Sequence, residues 1–190
     1  MERLARQGLG IFLDLKYHDI PNTVAGAVAA AAALRGVQML TLHTSGGLAM
    51  MRAARDAVAD RKKRPALLGV TILTSMDAAT LRRVGLSGTP ATRVLALARL
   101  AKEAGLDGVI ASAHEAKAIR RACGPRFLIV VPGIRPAATG ADDQARVATP
   151  AEAIRAGANY LVVGRPITGA DDPAAAAQAI ANEIASARRK

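Results

Sequence analysis

Within Phe12-Leu13-Asp14-Leu15-Lys16-Tyr17-His18-Asp19-Ile20-Pro21-Asn22-Thr23, three charges fall at the end of an apolar stretch, where a strand should stop. Side chains alternate faces along a strand, so Asp14 and Lys16 at i and i+2 point the same way, and Asp19 follows in the turn beyond. A lysine is thereby held among carboxylates. Such a trio keeps an ammonium charged, offers a proton at a fixed point and repels an incoming anion. The same spacing also suits a plain surface ion pair at a strand end, and spacing alone leaves both readings open.

Further polar or glycine-rich runs close the other β-branched stretches: His43-Thr44-Ser45-Gly46-Gly47, Thr74-Ser75, Ser112-Ala113-His114-Glu115, Pro132-Gly133-Ile134-Arg135 and Gly164-Arg165. Together with the charged run they end six expected strands, Gly10 to Leu15, Val37 to His43, Leu67 to Leu73, Gly108 to Ser112, Phe127 to Pro132 and Tyr160 to Gly164. Ala-rich amphipathic stretches follow near Pro21 to Leu34, Gly47 to Asp60, Ala91 to Glu103, Ala113 to Ala122, Pro150 to Ala156 and Pro173 to Ala187. Pro or Thr near several starts and Gly just past several ends, as at Thr149-Pro150 and Gly157, give the expected capping asymmetry.

Strand starts recur about every 30 residues, the size of a βα unit with its loops. A doubly wound open sheet would carry a Gly-rich phosphate turn after its first strand, and Tyr17-His18-Asp19-Ile20-Pro21 stands there instead. Polar residues at the C-terminal ends of many strands are the mark of a (β/α)8 barrel, so the expected fold is α/β, a TIM barrel of which six βα units are visible. No linker or low-complexity tract divides the 190 residues, and one domain is expected.

Composition narrows the function further. Two Phe, two Tyr and no Trp argue against base stacking on single-stranded nucleic acid. The net charge of +11 suggests an anionic partner, but the excess is dispersed. Its clusters, Arg61-Lys62-Lys63-Arg64 and Arg188-Arg189-Lys190, read as solvated ends rather than a specific nucleic-acid surface. A single Cys123 excludes an intramolecular disulfide and, with three His in no ligand spacing, makes a zinc site unexpected. A soluble protein of the reducing cytoplasm fits, with no membrane association. His43, His114 and Cys123 read as structural residues.

The order of these motifs resembles the orotidine 5′-phosphate decarboxylase family in its bacterial form. The resemblance rests on Asp14-Leu15-Lys16-Tyr17-His18-Asp19-Ile20-Pro21-Asn22-Thr23, Val70-Thr71-Ile72-Leu73-Thr74-Ser75-Met76, Pro132-Gly133-Ile134-Arg135-Pro136, Asp143-Gln144 and Val163-Gly164-Arg165-Pro166-Ile167-Thr168, and runs from about residue 8 onward. It implies decarboxylation of orotidine 5′-phosphate to UMP in pyrimidine biosynthesis, without metal or cofactor. Lys16 would be the proton donor, Asp14 would crowd the substrate carboxylate and hold Lys16, and Asp19 would reach the neighbouring site of a homodimer. Ile20, Pro21, Asn22 and Thr23 would bind substrate, Asn22 and Thr23 on the ribose side. Thr74 and Ser75 would face the pyrimidine; Arg135, Gln144, Gly164 and Arg165 would grip the phosphate.

The local alternatives are ordinary N-capping by Asn22 and Thr23 and a helix-capping hydroxyl pair at Thr74 and Ser75. Arg165, at the end of the last strand, fits the general phosphate site of barrels without the resemblance. The family barrel has two more βα units before the first strand seen here, one ending in an Asp and one in a Lys. Met1 to Gly8 resembles the tail of the second helix, so the expectation is a chain lacking roughly 50 residues of a whole barrel. Two other functions fit the same residues: a sugar-phosphate synthase or keto-acid decarboxylase of the superfamily, holding Mg²⁺ on the acidic residues, or an inactive truncated barrel.

Overall fold

Short runs of Val, Ile and Leu bounded by turn residues become strands because their stiff side chains pack well on a pleated surface, and the Ala-rich runs between them coil into helices that cover it. The computed structural model describes residues 2–136 and 147–189. In chain order its elements are α1 (Glu2–Arg6), β1 (Ile11–Tyr17), α2 (Pro21–Ala32), β2 (Val37–His43), a 3₁₀ turn (Thr44–Gly46), α3 (Gly47–Asp56) and β3 (Ala66–Val70). They continue with α4 (Ala78–Arg83), α5 (Pro90–Glu103), β4 (Gly108–Ile110), α6 (Ala113–Cys123), β5 (Leu128–Val131), α7 (Pro150–Arg155), β6 (Tyr160–Leu161), α8 (Arg165–Thr168) and α9 (Pro173–Arg188).

Strand order repeats chain order, β1-β2-β3-β4-β5-β6, and the β1–β2, β2–β3 and β5–β6 pairs are parallel. Parallel neighbours need a crossover, which the helices supply, and a progression without reversal is that of the expected α/β barrel rather than of a doubly wound sheet. All six expected strands are present. Their ends differ: β1 runs on to Tyr17, so that Lys16 lies inside it, while β3 stops at Val70 rather than Leu73, β4 at Ile110 rather than Ser112, β5 at Val131 rather than Pro132 and β6 at Leu161 rather than Gly164. The residues after Val70 turn instead, Met76 N–H donating to the Leu73 carbonyl at 2.9 Å, and lead into α4, a short helix not expected from the pattern.

Two compact units divide the chain, Met1–Thr71 with Ala96–Val109 and Ile72–Leu95 with Ile110–Lys190. In the first, Leu40, Thr41 and Leu42 of β2 are all fully buried, so both faces of this strand are covered. Leu67 and Leu68 of β3, Met50 and Met51 of α3 and Val24 and Val28 of α2 complete that core, each side chain contributing about 1.5–3 kcal/mol of burial. Helix α2 starts at Pro21, whose fixed φ suits the first helical position, and buries the stripe Val24, Val28, Ala31 and Ala32.

In the second unit Ile119, Ile129, Val130, Val131 and Ile134 are buried. Helix α7 opens on a capping box: Glu152 N–H donates to Thr149 Oγ1 and Thr149 N–H donates to Glu152 Oε2, at 3.2 and 2.8 Å. The Thr149 N–H holds the Glu152 carboxyl below its ordinary range. No helix among the described residues is long and apolar enough to cross a membrane.

Candidate active site

Strand β1 changes register just where its charges fall. Leu13 pairs with Leu40 and Tyr17 with Leu42, so Asp14, Leu15 and Lys16 together oppose Thr41 alone. Lys16 takes the crowded backbone there, with φ of +50°, and among the described non-glycine residues no other has positive φ. For a residue with a Cβ this left-handed conformation costs about 1–2 kcal/mol. The same-face arrangement expected from plain alternation is thus produced by a bulge.

The bulge brings the first two charges into contact. Lys16 Nζ donates to Asp14 Oδ2 at 2.5 Å. Thr41 Oγ1 donates to Asp14 Oδ1 at 2.8 Å and accepts from the Lys16 backbone N–H at 2.9 Å. One hydrogen bond on each oxygen fixes the plane of the Asp14 carboxylate, while the Lys16 and Asp14 side chains stay 41% and 44% exposed. The pair is therefore both oriented and open to a ligand. Thr41 has no counterpart among the residues picked out from the sequence; its signal is a lone hydroxyl in the apolar run Val37-Gln38-Met39-Leu40-Thr41-Leu42-His43.

Asp19 lies just beyond, its Oδ1 accepting the Ile20 N–H at 2.6 Å. With His18, Ile20, Pro21, Ser45 and Gly46 it lines an open cleft of about 490 Å³. The His18 and His43 rings meet with centroids 5.3 Å apart. Burial lowers the His43 pKa from its ordinary value, and the charges of His18 and Lys16 add to this while Asp14 opposes it. His43, read from sequence as structural, is thus electrostatically part of the charged cluster. Gly47 has φ of +86° where the 3₁₀ turn hands over to α3, a conformation that calls for glycine, and a Cβ on Gly46 would press into the Met50 side chain.

Asn22 and Thr23 are exposed in the first turn of α2, whose N-cap is Ile20 without a side-chain cap, so neither is the capping residue. In the second unit Thr74 and Ser75 likewise do not cap α4: Asp77 does, its carboxylate accepting the Thr80 N–H at 2.7 Å. Both capping alternatives fall away.

Arg135 is 9% exposed; its backbone N–H donates to the Ala148 carbonyl at 2.9 Å and its Nη1 to the Ile134 carbonyl at 2.9 Å. Gly164 is the N-cap of α8 and its carbonyl accepts from Ile167 and Thr168, while Arg165 is exposed at the first position of that helix. Gln144 lies outside the described residues. No cluster of three or more His, Cys, Asp or Glu side chains among the described residues could hold a metal ion.

The Arg61–Arg64 cluster is exposed throughout, and Arg64 within it is also engaged. Arg64 grips Asp107 through Nη1 and Nη2 at 2.6 and 2.7 Å, and Asp107 Oδ2 also accepts the Leu67 N–H at 2.8 Å. That arginine is a structural clamp at the start of β3.

Known proteins match this arrangement along nearly the whole chain. The model of the orotidine 5′-phosphate decarboxylase / HUMPS family matches residues 1–180. Curated relatives named orotidine 5′-phosphate decarboxylase include one from Nitrosococcus oceani, 57% identical over 186 residues that make up 98% of this chain and 80% of the relative. Another, from Halorhodospira halophila, is 57% identical over 187 residues, 98% of this chain and 79% of the relative. Among solved structures, orotidine 5′-phosphate decarboxylase from Lactobacillus acidophilus superposes with a TM-score of 0.84 at 43% identity, over 96% of this chain and 79% of that one. The chain belongs to the orotidine 5′-phosphate decarboxylase / HUMPS family.

Proposed function

We propose that this protein is a carboxy-lyase that converts orotidine 5′-phosphate to UMP, with Lys16 as the proton donor. The observation that carries the reading is the oriented, half-exposed pair of Lys16 and Asp14 at 2.5 Å in a chain of this family. The bond from C6 of the pyrimidine to its carboxylate breaks and carbon dioxide leaves. The electron pair stays on C6, which has no adjacent carbonyl to take it up. A fixed positive charge lowers the energy of that carbanion, and an ammonium beside it also hands over the proton that completes UMP. Lysine then recovers its proton from water. Asp14 keeps the ammonium in place and faces the departing carboxylate; preorganised charge acting on the transition state is the effect at work.

In this reading Ile20, Pro21, Asn22 and Thr23 bind along the ribose, Thr74 and Ser75 face the pyrimidine, and Arg135, Gln144, Gly164 and Arg165 bind the phosphate, for which guanidinium forks are suited. No metal or cofactor takes part. The protein works in the cytoplasm as a homodimer in which Asp19 of each subunit enters its neighbour's site.

Incubating the purified protein with orotidine 5′-phosphate, with and without EDTA, tests the reaction. UMP should form equally in both. A cooperatively folded protein that forms none, or that forms it only without EDTA, defeats the proposal. The place of Asp19 is tested by mixing inactive Lys16→Ala and Asp19→Ala subunits. If half the dimers are mixed and each has one intact site of two, activity returns to about one quarter of the unmutated rate. Subunits that exchange without recovery put Asp19 in its own chain's site or outside catalysis.

A further inference from the structure

We propose that Thr41 is the positioning residue of the Lys16–Asp14 pair, an inference that rests on the reading of Lys16 as proton donor. Thr41 is fully buried in β2, where valine would fill the same space without a hydroxyl needing partners. Both of its hydrogen bonds go to the charged site rather than to its own strand: one to Asp14 Oδ1, the other from Lys16 N–H. These partners lie 27 and 25 residues away along the chain, so the contact is no by-product of local geometry.

The register explains why one side chain serves both. Across the bulge Thr41 faces three residues of β1, and its hydroxyl takes the Lys16 N–H. That bond holds Lys16 in its left-handed backbone. Its own proton turns towards Asp14 and sets the carboxylate that the ammonium meets on its other oxygen. Thr41 touches neither the proton that moves nor the carbon that receives it. It acts through the placement of both charged groups.

The test uses Thr41→Val, which keeps the volume, and Thr41→Ser, which keeps the hydroxyl. Because a small displacement of a reacting group is expensive, kcat of the valine variant should fall about 10- to 100-fold. UMP affinity should change by less than about threefold, since this is a loss confined to the chemical step. Serine should restore kcat to within about threefold of the unmutated protein, a rescue that packing alone would not give. An unmutated kcat in Thr41→Val, or a serine variant as impaired as the valine one, overturns the proposal. If the valine variant does not fold, Thr41→Cys takes its place, with a thiol that bonds only weakly; a folded cysteine variant at the unmutated rate overturns the proposal equally. Lys16→Ala is run alongside. Turnover surviving in that variant removes the proton-donor reading itself, whereas an inactive Lys16→Ala beside an unaffected Thr41→Val rejects only the role of Thr41.

Discussion

The two ends of the strands use the same side-chain chemistry to opposite purposes. At the N-terminal ends, Asp107 accepts three hydrogen bonds, two from Arg64 and one from Leu67 N–H. Within the second unit Arg120 donates to the carbonyls of Gly124, Pro125, Phe127 and Gly157 and to Asn159 Oδ1, at 2.6–2.9 Å, and Asn159 Oδ1 also accepts the Ile129 N–H. These groups are saturated and tie loops to strand starts. At the C-terminal end of β1, Lys16 and Asp14 share one bond and remain nearly half exposed, and Lys16 sits on strained backbone. An ion pair that is satisfied on all sides holds a fold; one that is oriented but left open can act on a ligand.

That contrast breaks or sharpens under four substitutions. Lys16→Ala should have the largest effect, removing a positioned acid and lowering kcat by about 10³-fold or more. UMP binding, followed by calorimetry, should largely persist. A loss of both together would mean that Lys16 organises the site rather than supplying its proton.

Arg165→Ala comes next. In the proposed phosphate-binding role, its loss should cost about 2–4 kcal/mol in kcat/KM. A substrate lacking the phosphate should not notice the change, and if it suffers equally, Arg165 belongs with the structural clamps.

At the saturated end, Arg120→Ala should leave several carbonyls short of a donor and lower unfolding stability by about 2–3 kcal/mol in denaturant titrations. The kcat of the folded fraction should stay at the unmutated value. A reduced kcat there would blur the division of labour between the two ends.

The smallest effect concerns pH. His43 has its folded pKa lowered from about 6.5, chiefly by burial, so its neutral form fits the fold better. The stability it contributes is present above pH 6.5 and is lost as pH falls through the lowered folded value. His43→Gln should flatten this part of the Tm–pH curve, and a variant whose Tm falls as steeply as before assigns that acid sensitivity to another group.

Much of the scaffold could be read from residue patterns because its signals are local. All six strands and the neighbourhood of Asp14 and Lys16 follow from β-branched runs closed by turn and polar residues. The end of β3 is masked in the sequence because Thr71-Ile72-Leu73 keeps an apolar, β-favouring composition after the chain has begun to turn. Thr41 and the bulge escaped for a different reason. They depend on which residue of β2 faces which residue of β1, and a slip in register leaves no trace in the periodicity of either strand alone. The pairing of Arg64 with Asp107 spans 43 positions and is hidden in the same way, so that a clamp looked like a loose basic cluster.

The left-handed backbone at position 16 also separates two selective pressures. Glycine and asparagine rest there at little or no cost, whereas lysine is strained in every molecule made, with or without substrate. A population screened for heat resistance alone would therefore drift away from lysine at this position, and one screened for growth dependent on the reaction would be held to it. Position 16 would then record, in the residues that survive each screen, whether the protein had been kept for its shape or for its chemistry.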